Sequence, residues 1–168
     1  MAGAAILSDV SKWLSATSLS HTIQTTGWII PALQTIHILC VAVLFSAAVL
    51  VDLRTWCVVL RDLPLRDVGR RFLPLIWPVT LVLLLTGSLL IIGEPRRSLL
   101  NSTFYVKMAL LVLALALTAL LQWSLALAGF RDEDNVRRIA ARLAATASLL
   151  AWCGIIFAGR FIAYTQAG

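Results

Sequence analysis

The chain has 168 residues, of which 60% are hydrophobic and 13% charged, with a mean hydropathy of +0.92. A soluble domain carries about 45–50% apolar and about 25% charged residues, so this composition excludes a water-soluble globule and calls for hydrocarbon as part of the solvent. The net charge of +6 is carried largely by short loops beside apolar runs, which points to membrane topology and anionic lipid rather than to nucleic acid.

The N-terminal segment comes first. Ile6, Leu7, Val10, Trp13 and Leu14 recur at helical spacing, with Ser8, Asp9, Ser11 and Lys12 between them. This predicts an amphipathic interfacial helix over about residues 6–20, too short to cross a bilayer. It lacks the basic start and long apolar core of a cleavable signal peptide. The Ser/Thr-rich stretch 15–26, which holds His21, reads as a polar linker into the first span.

Four apolar runs follow, at about residues 27–51, 72–92, 104–128 and 139–164. Each reaches the roughly 20 helical residues that a bilayer core about 30 Å thick demands. The expected fold is all-α, a four-helix transmembrane bundle forming one membrane domain over residues 1–168. Short connections favour up-down-up-down packing. Small residues in the last two spans (Ala109, Ala114, Ala116, Ala119, Ala145, Ala147, Gly154 and Gly159) suit close helix approach and permit a homo-oligomer. Pro78, after Trp77, is expected to kink the second span near its start.

The loops suggest an orientation. Arg54, Arg61, Arg66, Arg70 and Arg71 flank the first connection, and Arg131, Arg137, Arg138 and Arg142 the third. Lys12, Arg96, Arg97, Lys107 and Arg160 belong to the opposite side. Nine basic residues against five place the first side in the cytoplasm of a bacterial inner membrane, with both termini periplasmic. Trp28, Phe104, Tyr105 and Tyr164 then fall at outer span ends, where amphipathic rings settle. Asp52 and Arg54 read as interfacial charges ending the first span, and Arg131-Asp132-Glu133-Asp134 as a solvated turn before the last one.

Ionisable groups inside a span are costly and therefore informative. No carboxylate is expected at mid-span. His37 lies about 13 Å inside the first span, counted from Trp28 at 1.5 Å per residue. Two readings are open: a metal or haem ligand, or a histidine bonded to a neighbouring helix. Gln34 and Cys40 sit three residues either side, near the same helix face. Sixteen helical residues separate His21 from His37, about 24 Å and too far to share one haem, so His21 reads as a surface histidine. Lys107 and Arg160 either reach the interface or turn inward to meet the carboxylates of a bound molecule. Met108 offers a second axial sulfur, although it stands about 100° around the helix from Lys107; Lys107 itself, if neutral, is another ligand. Trp77 and Trp152 are packing elements or walls of a porphyrin slot. Cys40, Cys57 and Cys153 are odd in number and scattered, unlike a disulfide framework or zinc site. No phosphate loop, CxxC or HExxH motif occurs.

The residues Trp28-Ile-Ile-Pro-Ala-Leu-Gln-Thr-Ile-His37, Asp52-Leu53-Arg54, Phe104-Tyr-Val-Lys107 and Gly159-Arg160 resemble a family of small four-helix bacterial membrane proteins of uncharacterised function. The likeness covers the chain from about Trp13 onward. The layout is more distantly similar to HemJ-type protoporphyrinogen oxidases and CopD-type copper proteins. The HemJ-type resemblance implies a haem b-binding histidine at His37 and a lysine counterpart at Lys107. This chain lacks the further histidines of that pattern and differs in its N-terminal helix.

The expected function is that of a haem b protein passing electrons between a quinol, or another redox partner, and an outer-face acceptor. His37 is the iron ligand, with Lys107 and Arg160 on the propionates and Gln34, Trp77 and Trp152 nearby. The alternatives are a non-catalytic subunit that organises a larger membrane complex, and a copper-handling protein using His37 and Cys40 with Gln34 or Met108.

Overall fold

The computed structural model describes residues 2–127 and 135–164, and all of its regular structure is helical. Four helices are long and apolar enough to cross a membrane: α3 (Ile29–Thr55), α4 (Leu65–Gly93), α6 (Ser102–Leu127) and α7 (Asn135–Tyr164). Two short helices, α1 (Ala2–Ser15) and α2 (Ser18–Thr25), precede them, and α5 (Pro95–Leu99) joins α4 to α6. Ala128 and the run Arg131-Asp132-Glu133-Asp134 lie outside the described residues.

The spans form two hairpins. α3 packs on α4 and α6 on α7, and the hairpins meet through α3 with α7 and α4 with α6. Their shared core holds Leu44, Ala47, Ala48, Leu73, Ile76, Leu111, Ala114, Ala151 and Trp152. Small side chains let the backbones approach around Trp152, the largest fully buried residue. The outward faces carry exposed Leu81, Leu85, Leu113, Leu150 and Phe157, the pattern of a bundle whose solvent is lipid.

The stretch expected as a linker is helical. Thr17 caps α2 by accepting the Ser20 amide at 3.3 Å, and Thr22 and Thr25 donate to carbonyls one turn back. Ser20 is fully buried and donates to the Ile92 carbonyl at the end of α4, 2.7 Å away. A polar run becomes a helix here because its hydroxyls satisfy both their own turns and the end of another helix. α1 lies on α5, and α2 on α4, so these short helices cap one end of the bundle. Tyr105 ties α5 to α6 by donating to the Leu99 carbonyl at 2.8 Å.

The opposite end carries the basic residues. Arg66, Arg70 and Arg71 stand on the first turns of α4 rather than in a loop, because α4 begins seven residues earlier than its apolar run. The remaining connection turns tightly, with positive φ at Cys57 and Leu60. α4 continues as helix through both Pro74 and Pro78. Asp52 departs from expectation: α3 runs on to Thr55, and the Asp52 side chain is turned into the bundle, 3% exposed. It is a buried carboxyl, not an interfacial charge.

Gly93 sets how closely the cap seats. A Cβ there would stand 2.7 Å from Cγ2 of Ile23 on α2, and a β-branched side chain yields little. Gly93→Ala should lower stability by about 1–3 kcal/mol, as overpacking does. A thermal or denaturant unfolding midpoint in detergent measures it, with proteolysis near α2 reporting loss of the cap.

Candidate functional site

The polar residues that the spans bury or half-bury near the capped end come from α3, α4 and α6, with a glycine of α7 beside them. His37 lies eight residues into α3 and Thr86 seven residues before the end of α4, each about 10–12 Å from its helix end. Lys107 and Gly159 each lie five residues, about 7–8 Å, from the corresponding ends of α6 and α7. Antiparallel packing therefore brings these positions to neighbouring depths.

The His37 imidazole is half-buried, and its Nδ1 stands 2.9 Å from Thr86 Oγ1. Thr86 is buried, and its hydroxyl also lies 2.9 Å from the Val82 carbonyl and 3.1 Å from that of Leu83. A hydroxyl has one proton, and those carbonyls can only accept it. With that proton directed to the helix backbone, Oγ1 accepts from His37 Nδ1–H. In that arrangement the neutral imidazole carries its proton on Nδ1 and leaves the lone pair on Nε2 unspent.

Gly87 supplies space beside the ring. A Cβ at that position would sit 3.4 Å from His37 Cε1, already tight, so any larger side chain would displace the imidazole. Gly159 lies beside Lys107, whose Nζ would be in ordinary contact, 3.8 Å, with a Cβ at that position. Lys107 is half-buried. No carboxylate pairs with it among the described residues. An ammonium in this position favours an anionic partner, because charge taken out of water without compensation is costly.

Of the residues singled out from sequence, His37 is paired with Thr86, and Lys107 stands at a neighbouring depth on α6. Gln34 and Arg160 are exposed, and Trp77 is exposed on α4, nine residues or about 13 Å from Thr86. Met108 and Cys40 pack against the hydrophobic core, and Trp152 lies within it, seven residues from Gly159. His21 is exposed on α2. Thr86, Gly87 and Gly159 complete the arrangement. The Thr86-Gly87 pair was visible as a hydroxyl beside a glycine inside an apolar span, but nothing in the sequence aims it at His37. Among the described residues, no three His, Cys, Asp or Glu side chains gather as a metal site.

The chain belongs to a family of unknown function, DUF6644, whose model matches residues 10–165. No curated protein and no solved structure matches it.

The hydroxyl at position 86 is open to a direct test. Thr86→Val keeps the shape and strips the acceptor, and should cost about 1–3 kcal/mol by leaving Nδ1–H unpaired. Thr86→Ser, which retains the oxygen, should recover most of that loss in the same unfolding assay.

Proposed function

We propose that this member of the DUF6644 family is a haem b-binding protein of the bacterial inner membrane and that it serves in electron transfer. The observation that carries this reading is the His37–Thr86 pair. It spends Nδ1 and presents Nε2 as a neutral donor within an apolar bundle, with the Lys107 ammonium in the same region. Neutral imidazole is a common axial ligand for haem iron, and an outer hydrogen bond on the other ring nitrogen is what commonly fixes the orientation of such a ligand.

The residues present fit that group by chemistry. His37 would hold the iron. Lys107 would pair with a propionate, and Arg160, one residue beyond Gly159, would reach for the second from the span end. Gly87 and Gly159 keep the two helix surfaces flat beside the polar side chains. A haem, when bound, supplies one-electron chemistry; the chain contributes the ligand, its fixed tautomer, the counter-charge and exclusion of water. A quinol is a fitting electron donor because it is soluble in the lipid that surrounds the bundle. The excess of arginine at the opposite end supports a cytoplasmic location for that end and a periplasmic one for the capped end and both termini.

One observation favours a second reading. The same His37–Thr86 bond clamps α3 to α4, and a clamp needs no ligand. The chain would then be a non-catalytic subunit of a larger membrane complex.

The visible spectrum of the protein purified in detergent after expression with ample haem decides between them. We expect a Soret band, with sharp α and β bands after dithionite reduction, and at least a tenfold loss of haem per protein in His37→Ala. A haem content unchanged in a folded His37→Ala variant would contradict the ligand assignment. A featureless spectrum with a stable co-purifying membrane protein would favour the subunit.

A further inference from the structure

The basic end of the bundle holds a second polar site, independent of the haem reading. Asp52 stands three residues, about one helical turn, before the end of α3 at Thr55 and is 3% exposed. Its carboxyl is hydrogen-bonded to the side chain of buried Ser148 on α7, while Oδ2 has no partner. A cavity of about 10 Å³ lies against it, lined also by Thr118, Ser148, Ala48 and Leu73. That is about the space of one water molecule. Thr118 donates its proton to the Ala114 carbonyl at 2.9 Å, so its oxygen is an acceptor.

Among the described residues, no basic side chain lines the cavity. No titratable side chain of α4, α6 or α7 lines it among the described residues. On α3 itself, Arg54 donates to the Leu63 carbonyl at 2.8 Å and to Cys57 Sγ at 3.5 Å. Arg142 of α7 stacks over the Trp56 ring, 5.4 Å from its centroid. A carboxylate walled in by apolar side chains, with one oxygen unpaired, must acquire a positive charge or stay poorly compensated. A divalent metal ion would take about six or more oxygens, and the four side-chain oxygens of Asp52, Ser148 and Thr118 around a one-water space do not supply them. A proton needs a single oxygen.

We propose that Asp52, Ser148 and Thr118 form a proton-binding site, exchanging with the aqueous phase at the basic end through the adjoining water-sized cavity. The step is an addition of H⁺ from water to Asp52 Oδ2, forming an O–H bond; no electron moves. Ser148 holds the carboxyl in place, and Thr118 offers an acceptor to the proton or to an intervening water.

Infrared spectroscopy of the full chain in lipid vesicles at neutral pH tests this. The expected result is a carboxylic-acid C=O band that is absent in Asp52→Asn, displaced in Ser148→Ala and shifted within minutes of transfer to D₂O. The wild-type measurement in D₂O stands alone should either variant fail to fold. Absence of any such band in the wild type would overturn the proposal. So would a band that resists D₂O for hours, the mark of a sealed structural carboxyl, or one that disappears when sodium replaces choline, the mark of an alkali-cation site.

Discussion

A hydrocarbon solvent offers no hydrogen bonds, so each polar side chain a span carries inward must find its partner on another helix or on its own backbone. Three such solutions hold this bundle. Ser20 of α2 closes on the Ile92 carbonyl of α4, His37 of α3 on Thr86 of α4, and Asp52 of α3 on Ser148 of α7. Interhelical bonds of this kind average about 0.6 kcal/mol and reach about 2 kcal/mol. Their effect on register exceeds their energy, because sliding a helix by one turn would leave two polar groups unpaired in lipid.

The same constraint separates the bundle into levels with different chemistry. The capped end gathers the His37 imidazole and the Lys107 side chain, which no carboxylate pairs with among the described residues. The basic end gathers a buried carboxyl whose cavity no basic side chain lines among the described residues. Between them lies the apolar layer around Trp152, whose own indole Nε1 finds no acceptor. Lys107 and Asp52 are thus kept apart by hydrophobic packing rather than allowed to neutralise each other.

The four spans were legible in the sequence because length and hydropathy alone dictate them. The short cap was legible only in part. The periodicity of Ile6, Val10, Trp13 and Leu14 marks an amphipathic helix, but the hydroxyl-rich stretch after it looks like a linker unless the Ile92 carbonyl is known to await Ser20. His37 and Lys107 stood out because ionisable groups in apolar runs are costly. Their neighbours did not: which glycines and hydroxyls face them depends on how the hairpins rotate against each other. Asp52 was misjudged by one turn of helix. Its apolar run ends at Val51, yet α3 continues to Thr55, and that turn carries the carboxyl into the core.

The central claim is that Thr86 fixes the neutral His37 imidazole with its proton on Nδ1 and its lone pair on Nε2. Nitrogen-15 NMR of histidine-labelled protein in lipid measures this directly, with His21→Gln removing the only other histidine signal. The account predicts a protonated Nδ1 and an unprotonated Nε2 in the ligand-free protein, with the Nδ1 resonance moving in Thr86→Val. An Nε2-protonated ring, or one protonated at both nitrogens at neutral pH, would contradict it.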